Sequence, residues 1–171
     1  MPPTVMGLPS HVLLIHAVVV LLPLTGALLV LCAFSATLRR RAGVLLPIAG
    51  LGSLVLVPLA TSSGEALLAR LPADPAIAEH AAAGDGLLPW AVALAVASLA
   101  VWFVGRRSAR AAAAYEGGGP SGAALPARSP LSIGLAVLAV AAVVGTTAQV
   151  AYIGHLGATA TWGYVADLPA P

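Results

Sequence analysis

Leu8 to Leu24 reads LPSHVLLIHAVVVLLPL, an apolar run that carries no formal charge and holds two histidines, His11 and His16. A run of this kind is the start of a membrane-spanning helix, which needs ~20 largely apolar residues. Histidine at membrane depth costs energy to bury, so its presence points toward function more than an apolar residue would.

Working outward, the whole chain has the same character. Its 171 residues are 60% hydrophobic and 8% charged, against roughly 25% charged in soluble domains. That leaves too little polar surface to coat a water-soluble globule, and the chain reads as an integral membrane protein. A net charge of +2 gives no basic surface for nucleic acid. Every basic residue is arginine, and alanine, glycine, proline and valine are abundant, a composition that points to a GC-rich bacterial genome. The lone Cys32 excludes an internal disulfide, an iron–sulfur cluster and a covalent haem attachment. The N-terminal MPPTVMGLPS lacks the basic segment of a signal peptide, so the first apolar helix is expected to stay in the mature protein.

Hydropathy and punctuation predict an all-α, four-helix transmembrane bundle forming one domain over residues 1–171, with helices at about 11–38, 44–62, 75–105 and 131–155. Ser10 reads as the first N-cap, and Arg39-Arg40-Arg41 closes helix 1. Residues 65–71 suit a short interfacial helix with Leu67, Leu68 and Leu71 on one face. Asp74-Pro75 reads as an N-cap followed by proline at the first helical position, and Pro89 predicts a kink in helix 3. The alanine-, glycine-, proline- and serine-rich stretch over 108–130 reads as a flexible cytoplasmic loop. Gly50, Gly52, Gly134 and Gly145 read as close-packing points between helices, and Cys32 as a small packing residue.

Seven of the eight arginines fall on the two connections at one end, and only Arg70 lies at the other. The positive-inside rule then puts both termini outside the cytoplasm, in a bacterial inner membrane. Trp90 and Trp162 fall near the outer interface and Trp102 near the inner one.

Counting from the arginines places the histidines. His11 is 28 residues from Arg39, His80 is 26 from Arg106 and His155 is 27 from Arg128, which puts all three at one depth to within about 3 Å. His16 lies one to two turns deeper. All four histidines, on three helices, thus gather at the extracytoplasmic end with Glu65, Glu79 and Asp85. A single interfacial histidine is ordinarily just an amphipathic residue in a wet layer. Four gathered at one end on three helices read better as a shared ligand or proton site, with helix packing and headgroup contact as the bland alternative. His11 and His16 stand about 140° apart around their helix and need not serve the same site.

These residues carry a resemblance. LPSHVLLIHAVVVLLPLTGALL resembles the opening of the bacterial membrane family DUF2231, whose usual form reads LP-x-HP-x-L-x-HFP-x-x-L. The family's later Gly-Glu and Gly-His-x-Gly-Gly segments are similar to Gly64-Glu65 and Gly154-His155-Leu156-Gly157-Ala158, and its Glu-x-His resembles Glu79-His80, where the two residues are adjacent. Val12, Ala17-Val18 and Ala158 depart from the pattern, and no candidate ligand is lost. The resemblance covers about residues 7–160 and implies a multi-pass membrane protein. Relatives fused to Rieske-type iron–sulfur domains associate the family with electron transfer.

Three functions stay open. The leading one is a b-type cytochrome, an electron-transfer component rather than a stand-alone enzyme, with haem b held by two histidines on facing helices. His16 is the first choice of ligand, His80 or His155 the second, and His11 the most peripheral. Gly26, Ala27, Ala83 and Gly84 offer room for a flat ring, while Arg70 is the only arginine near for a propionate. The second is a non-haem site for zinc, copper or iron built from His16, His80, His155 and His11. In both, Glu65, Glu79 and Asp85 are expected as partners of the ring N–H groups. The third is a structural subunit of a membrane complex. The implied partners are the lipid bilayer and a redox protein or membrane complex, with no nucleic acid. No catalytic triad, nucleotide loop or protease motif is present, and the lack of mid-membrane charge argues against a transporter.

Overall fold

A computed structural model describes residues 4–115 and 129–167. The chain opens with a two-residue-per-strand hairpin, β1 (Thr4–Val5) and β2 (Leu8–Pro9). Its turn places both Met6 and Gly7 at positive φ, 51° and 82°. Six helices follow: α1 (Ser10–Phe34), α2 (Ala36–Ala42), α3 (Leu45–Leu68), α4 (Pro75–Asp85), α5 (Leu87–Tyr115) and α6 (Pro130–Trp162). A 3-10 turn over Gly163–Asp167 completes the described residues. Four spans among them are long and apolar enough to cross a membrane: α1, α3, α4 with α5, and α6 with the turn that follows it.

These spans form a ring in which α1 packs on α3, α3 on α5, α5 on α6 and α6 back on α1. α4 lies chiefly against α6. The surface is apolar: Val20, Leu24, Ile48, Val55, Val96, Val137 and Val144 all face outward. In water such a girdle would aggregate; in hydrocarbon it costs nothing. The buried interior joins Leu22, Leu29, Leu46, Val57, Leu94 and Val101 to Ala91, Ala139 and Ala142, together with Thr25, Ser53, Ser98 and Thr146. Small side chains let membrane helices approach closely, and the hydroxyls need partners because no water reaches them. Ser53 Oγ donates to the Ala49 carbonyl at 2.9 Å and reaches Thr25 Oγ1 on α1 at 3.3 Å. Thr146 Oγ1 donates to the Ala142 carbonyl at 2.7 Å.

Several helix bounds differ from the expected ones, each for a local reason. Pro9, not Ser10, is the N-cap of α1, and Ser10 lies inside the first turn, buried. α1 stops at Phe34 rather than running to 38. Ser35 is extended (φ −124°, ψ 110°) and its hydroxyl accepts the Leu38 N–H, so it caps a new helix instead of continuing the old one. The arginine cluster therefore sits on α2, and Arg39 Nη1 donates to the Cys32 carbonyl near the end of α1 at 2.9 Å. Cys32 is fully buried.

α3 passes Pro58 and runs on to Leu68, so the expected interfacial helix over 65–71 is largely the last turn of this span. Thr61, Ser62 and Ser63 each return a hydroxyl to the carbonyl three residues back, which lets a polar triplet remain helical. Asp74 caps α4 as expected, accepting from the Ala76 N–H at 2.7 Å, with Pro75 at the first position.

The third span is two helices rather than one kinked at Pro89. Pro89 has no N–H for the Asp85 carbonyl and its ring would collide with that oxygen, so the chain breaks just upstream at Gly86. Gln149 of α6 donates to the carbonyl of Ala83 at this break, 2.9 Å away, and lies so close to Gly86 that a Cβ there would stand 2.8 Å from its Nε2. α5 continues to Tyr115 and α6 to Trp162, both well past the expected ends. The rest of the loop expected over 108–130 lies outside the described residues, apart from the first two residues leading into α6.

Of the four glycines read as packing points, two act as such. A Cβ on Gly50 would stand 2.8 Å from Ser98 Cβ, and one on Gly145 would overlap the Trp90 ring. Gly52 and Gly134 face open space.

Candidate functional site

The histidine end of the bundle is built twice over from the same small unit. His11, in the first turn of α1, points across to α3, where its Nδ1 lies 3.1 Å from the Ala60 carbonyl and 3.3 Å from Ser63 Oγ. His80, on α4, points across to α6, where its Nδ1 lies 3.1 Å from the Ile153 carbonyl. A carbonyl only accepts, so each Nδ1 carries the proton and donates it. In the neutral ring each Nε2 therefore keeps its lone pair.

Each ring also rests on a glycine four residues beyond the carbonyl it bonds. A Cβ at Gly64 would stand 3.0 Å from Cε1 and 3.2 Å from Nδ1 of His11; a Cβ at Gly157 would meet the same two atoms of His80 at the same distances. A side chain at either place would crowd the imidazole, which would have to give by a few tenths of an ångström. Residues i and i+4 lie one above the other on a helix face, so the carbonyl and the glycine form one seat for one ring.

The two seats bring the rings together, with centroids 6.4 Å apart and planes at 75°. Both border a cavity of about 660 Å³ at this end of the bundle, inside the ~300–1,000 Å³ range of cofactor and ligand sites. Its walls are chiefly apolar, including Ile15, Val18, Val57, Leu68, Ile77, Val150 and Ile153, with Trp162 at one side. Gly84 adds open space. Glu65 and Asp85 are its two carboxylates.

Sequence depth placed four histidines at this level, and helix rotation separates them. His16 is exposed on the outer face of α1 and bonds back to the Val12 carbonyl of its own helix. With His11 turned toward α3, the 140° between the two residues sends His16 outward. His155 lies two residues from both Ile153 and Gly157, about 200° around α6. Those two face His80, so His155 is exposed on the opposite side. Neither lines the cavity.

The N–H partners differ from the expected carboxylates as well. Backbone carbonyls take both Nδ1–H groups, and the exposed Glu79 does not line the cavity. Among the described residues no three His, Cys, Asp or Glu side chains group closely enough to hold a metal ion. Of the small residues expected to make room for a ring, only Gly84 borders the cavity; Gly26 is filled by Val143. Hydropathy gives no sign of the glycine seats, although Gly64 and Gly157 sit within the motifs that carry the family resemblance.

Comparison with curated proteins finds no match, and neither does comparison with solved structures. A family model described as a predicted membrane protein matches residues 7–168, nearly the whole chain, and the four apolar spans of the structure agree with that description. The chain belongs to the DUF2231 family of predicted membrane proteins.

Proposed function

We propose that the histidine end is a redox-cofactor site, in which His11 and His80 would hold a b-type haem and the protein serves electron transfer. The observation that carries this reading is the pairing of two imidazoles from different helices, each held through Nδ1–H with Nε2 free. Two imidazoles that hold one group must both lie within reach of it. A 6.4 Å separation of ring centres is compatible with that, as it is with edge-to-face packing of the two rings.

Two protein ligands suffice for a metal whose other positions a macrocycle fills. A bare zinc, copper or iron ion needs more donors than this pair, which makes the non-haem reading the weaker one. A bound haem supplies the one-electron chemistry. The chain's own part is to hold both Nε2 lone pairs in place, since carbonyl-bonded N–H groups fix ring orientation and raise ligand basicity. The apolar walls limit water. Glu65 and Asp85 place negative charge at the cavity, which favours the oxidised state of a redox centre there. The arginine distribution supports an extracytoplasmic position for this end in a bacterial inner membrane, where a redox protein or a membrane complex would meet it.

The test is the absorption spectrum of the purified protein, oxidised and then dithionite-reduced. A low-spin haem spectrum at one haem per chain supports the reading. Stoichiometric zinc, copper or non-haem iron without haem transfers it to the non-haem alternative, and no bound cofactor at all overturns it.

A further inference from the structure

His11 is a wall shared by two cavities. Behind the large apolar one lies a smaller pocket of about 310 Å³ with a larger polar share: Thr4, Ser10, Ser62, Ser63 and Arg70 line it together with Pro9, Ala66 and Leu67. No carboxylate lines it. Arg70 is the one arginine among the described residues at this end of the molecule.

Three sets of hydrogen-bond donors meet here. The first turn of α1 leaves its N–H groups free, because Pro9 at the N-cap has no side-chain acceptor to offer them. The Ser10 hydroxyl borders the pocket, on a residue only 8% exposed, and has no hydrogen-bond partner among the described residues. That hydroxyl can be reached only through the pocket, where a ligand oxygen would accept its proton. Arg70 adds a planar fork of N–H donors that suits an oxyanion. The helix N-terminus, with its partial positive charge, favours the same kind of ligand. The hairpin beside the pocket exposes Val5, Met6 and Leu8, with Met6 97% exposed. An apolar tip at the end of two membrane spans belongs in the interfacial layer, where lipid headgroups lie.

We infer that this pocket binds the phosphate of a membrane phospholipid, with the hairpin tip seated among the neighbouring acyl chains. The inference stands apart from the cofactor reading, because it uses neither His80 nor the apolar cavity.

Native mass spectrometry of the detergent-purified protein titrated with dioleoylphosphatidylglycerol tests it, alongside equilibrium dialysis with inorganic phosphate. One lipid should bind saturably, and Arg70→Gln should weaken it about tenfold or more, the scale of a lost charge-assisted hydrogen bond. Ser10→Ala keeps the charge and should weaken binding by a smaller factor, which preserves the test should Arg70→Gln fail to fold. Arg40→Gln, on α2 at the opposite end, removes the same charge and should change nothing. Failure of the wild-type protein to bind lipid overturns the inference, as does equal weakening by Arg40→Gln. Binding of free phosphate without lipid also overturns it, by giving the pocket a soluble ligand.

Discussion

The ring of His80 lies against Gly157, four residues past the Ile153 carbonyl that receives its Nδ1–H. His11 repeats the arrangement on Gly64 and Ala60. Each hairpin of the bundle thus carries one imidazole on its first span and the seat for it on its second. The pairing of the two rings is a consequence of how the hairpins dock.

Adding a methyl group at either seat should move its ring. If the proposed cofactor is bound, Gly157→Ala and Gly64→Ala are expected to reduce its retention several-fold while leaving helical content unchanged by circular dichroism. Gly154→Ala, in the same motif but facing open space, should be silent. Equal effects at Gly154 and Gly157 would show that the seat has no special role.

The histidines divide into two classes. If the proposed haem is bound, His11→Ala and His80→Ala should each abolish its low-spin spectrum. His16→Ala and His155→Ala, both exposed and off the cavity, should leave the spectrum intact. A severe His16→Ala variant beside a mild His11→Ala variant would reverse the assignment.

Packing at Trp90 gives a prediction independent of any cofactor. A Cβ on Gly145 would overlap the indole ring, so Gly145→Ala should cost roughly 1–3 kcal/mol as overpacking. Gly134→Ala meets nothing within 4 Å and should be neutral or stabilising by up to about 1 kcal/mol through helix propensity. Thermal unfolding in detergent reads both. The idea fails if the two variants shift Tm alike.

Orientation is open to direct labelling. Single cysteines at the exposed Ala73 and Thr37, in a Cys32→Ala background, report on the histidine end and the arginine end. In intact cells an impermeant thiol reagent should modify the first and spare the second. The opposite pattern would place the histidine end in the cytoplasm.

The amino-acid sequence alone determined that the chain is a membrane protein of four spans, because hydrocarbon imposes a length and a polarity that 60% hydrophobic and 8% charged residues meet. Residue counts along a helix also measure depth, so histidines on three helices could be assigned to one end without any coordinates. Depth carries no angle, however. Which faces of α1, α4 and α6 turn inward depends on how glycine, alanine and serine surfaces interlock between helices, and hydropathy is blind to that in chains that are apolar all round. Rotation about the helix axes therefore decided that His11 and His80 meet while His16 and His155 face outward. The helix breaks came from the same level of detail: a capping hydroxyl at Ser35 and a proline clash relieved at Gly86. The carbonyl seats depended on it too, since any residue supplies a carbonyl and only the packed structure shows which one a ring can reach.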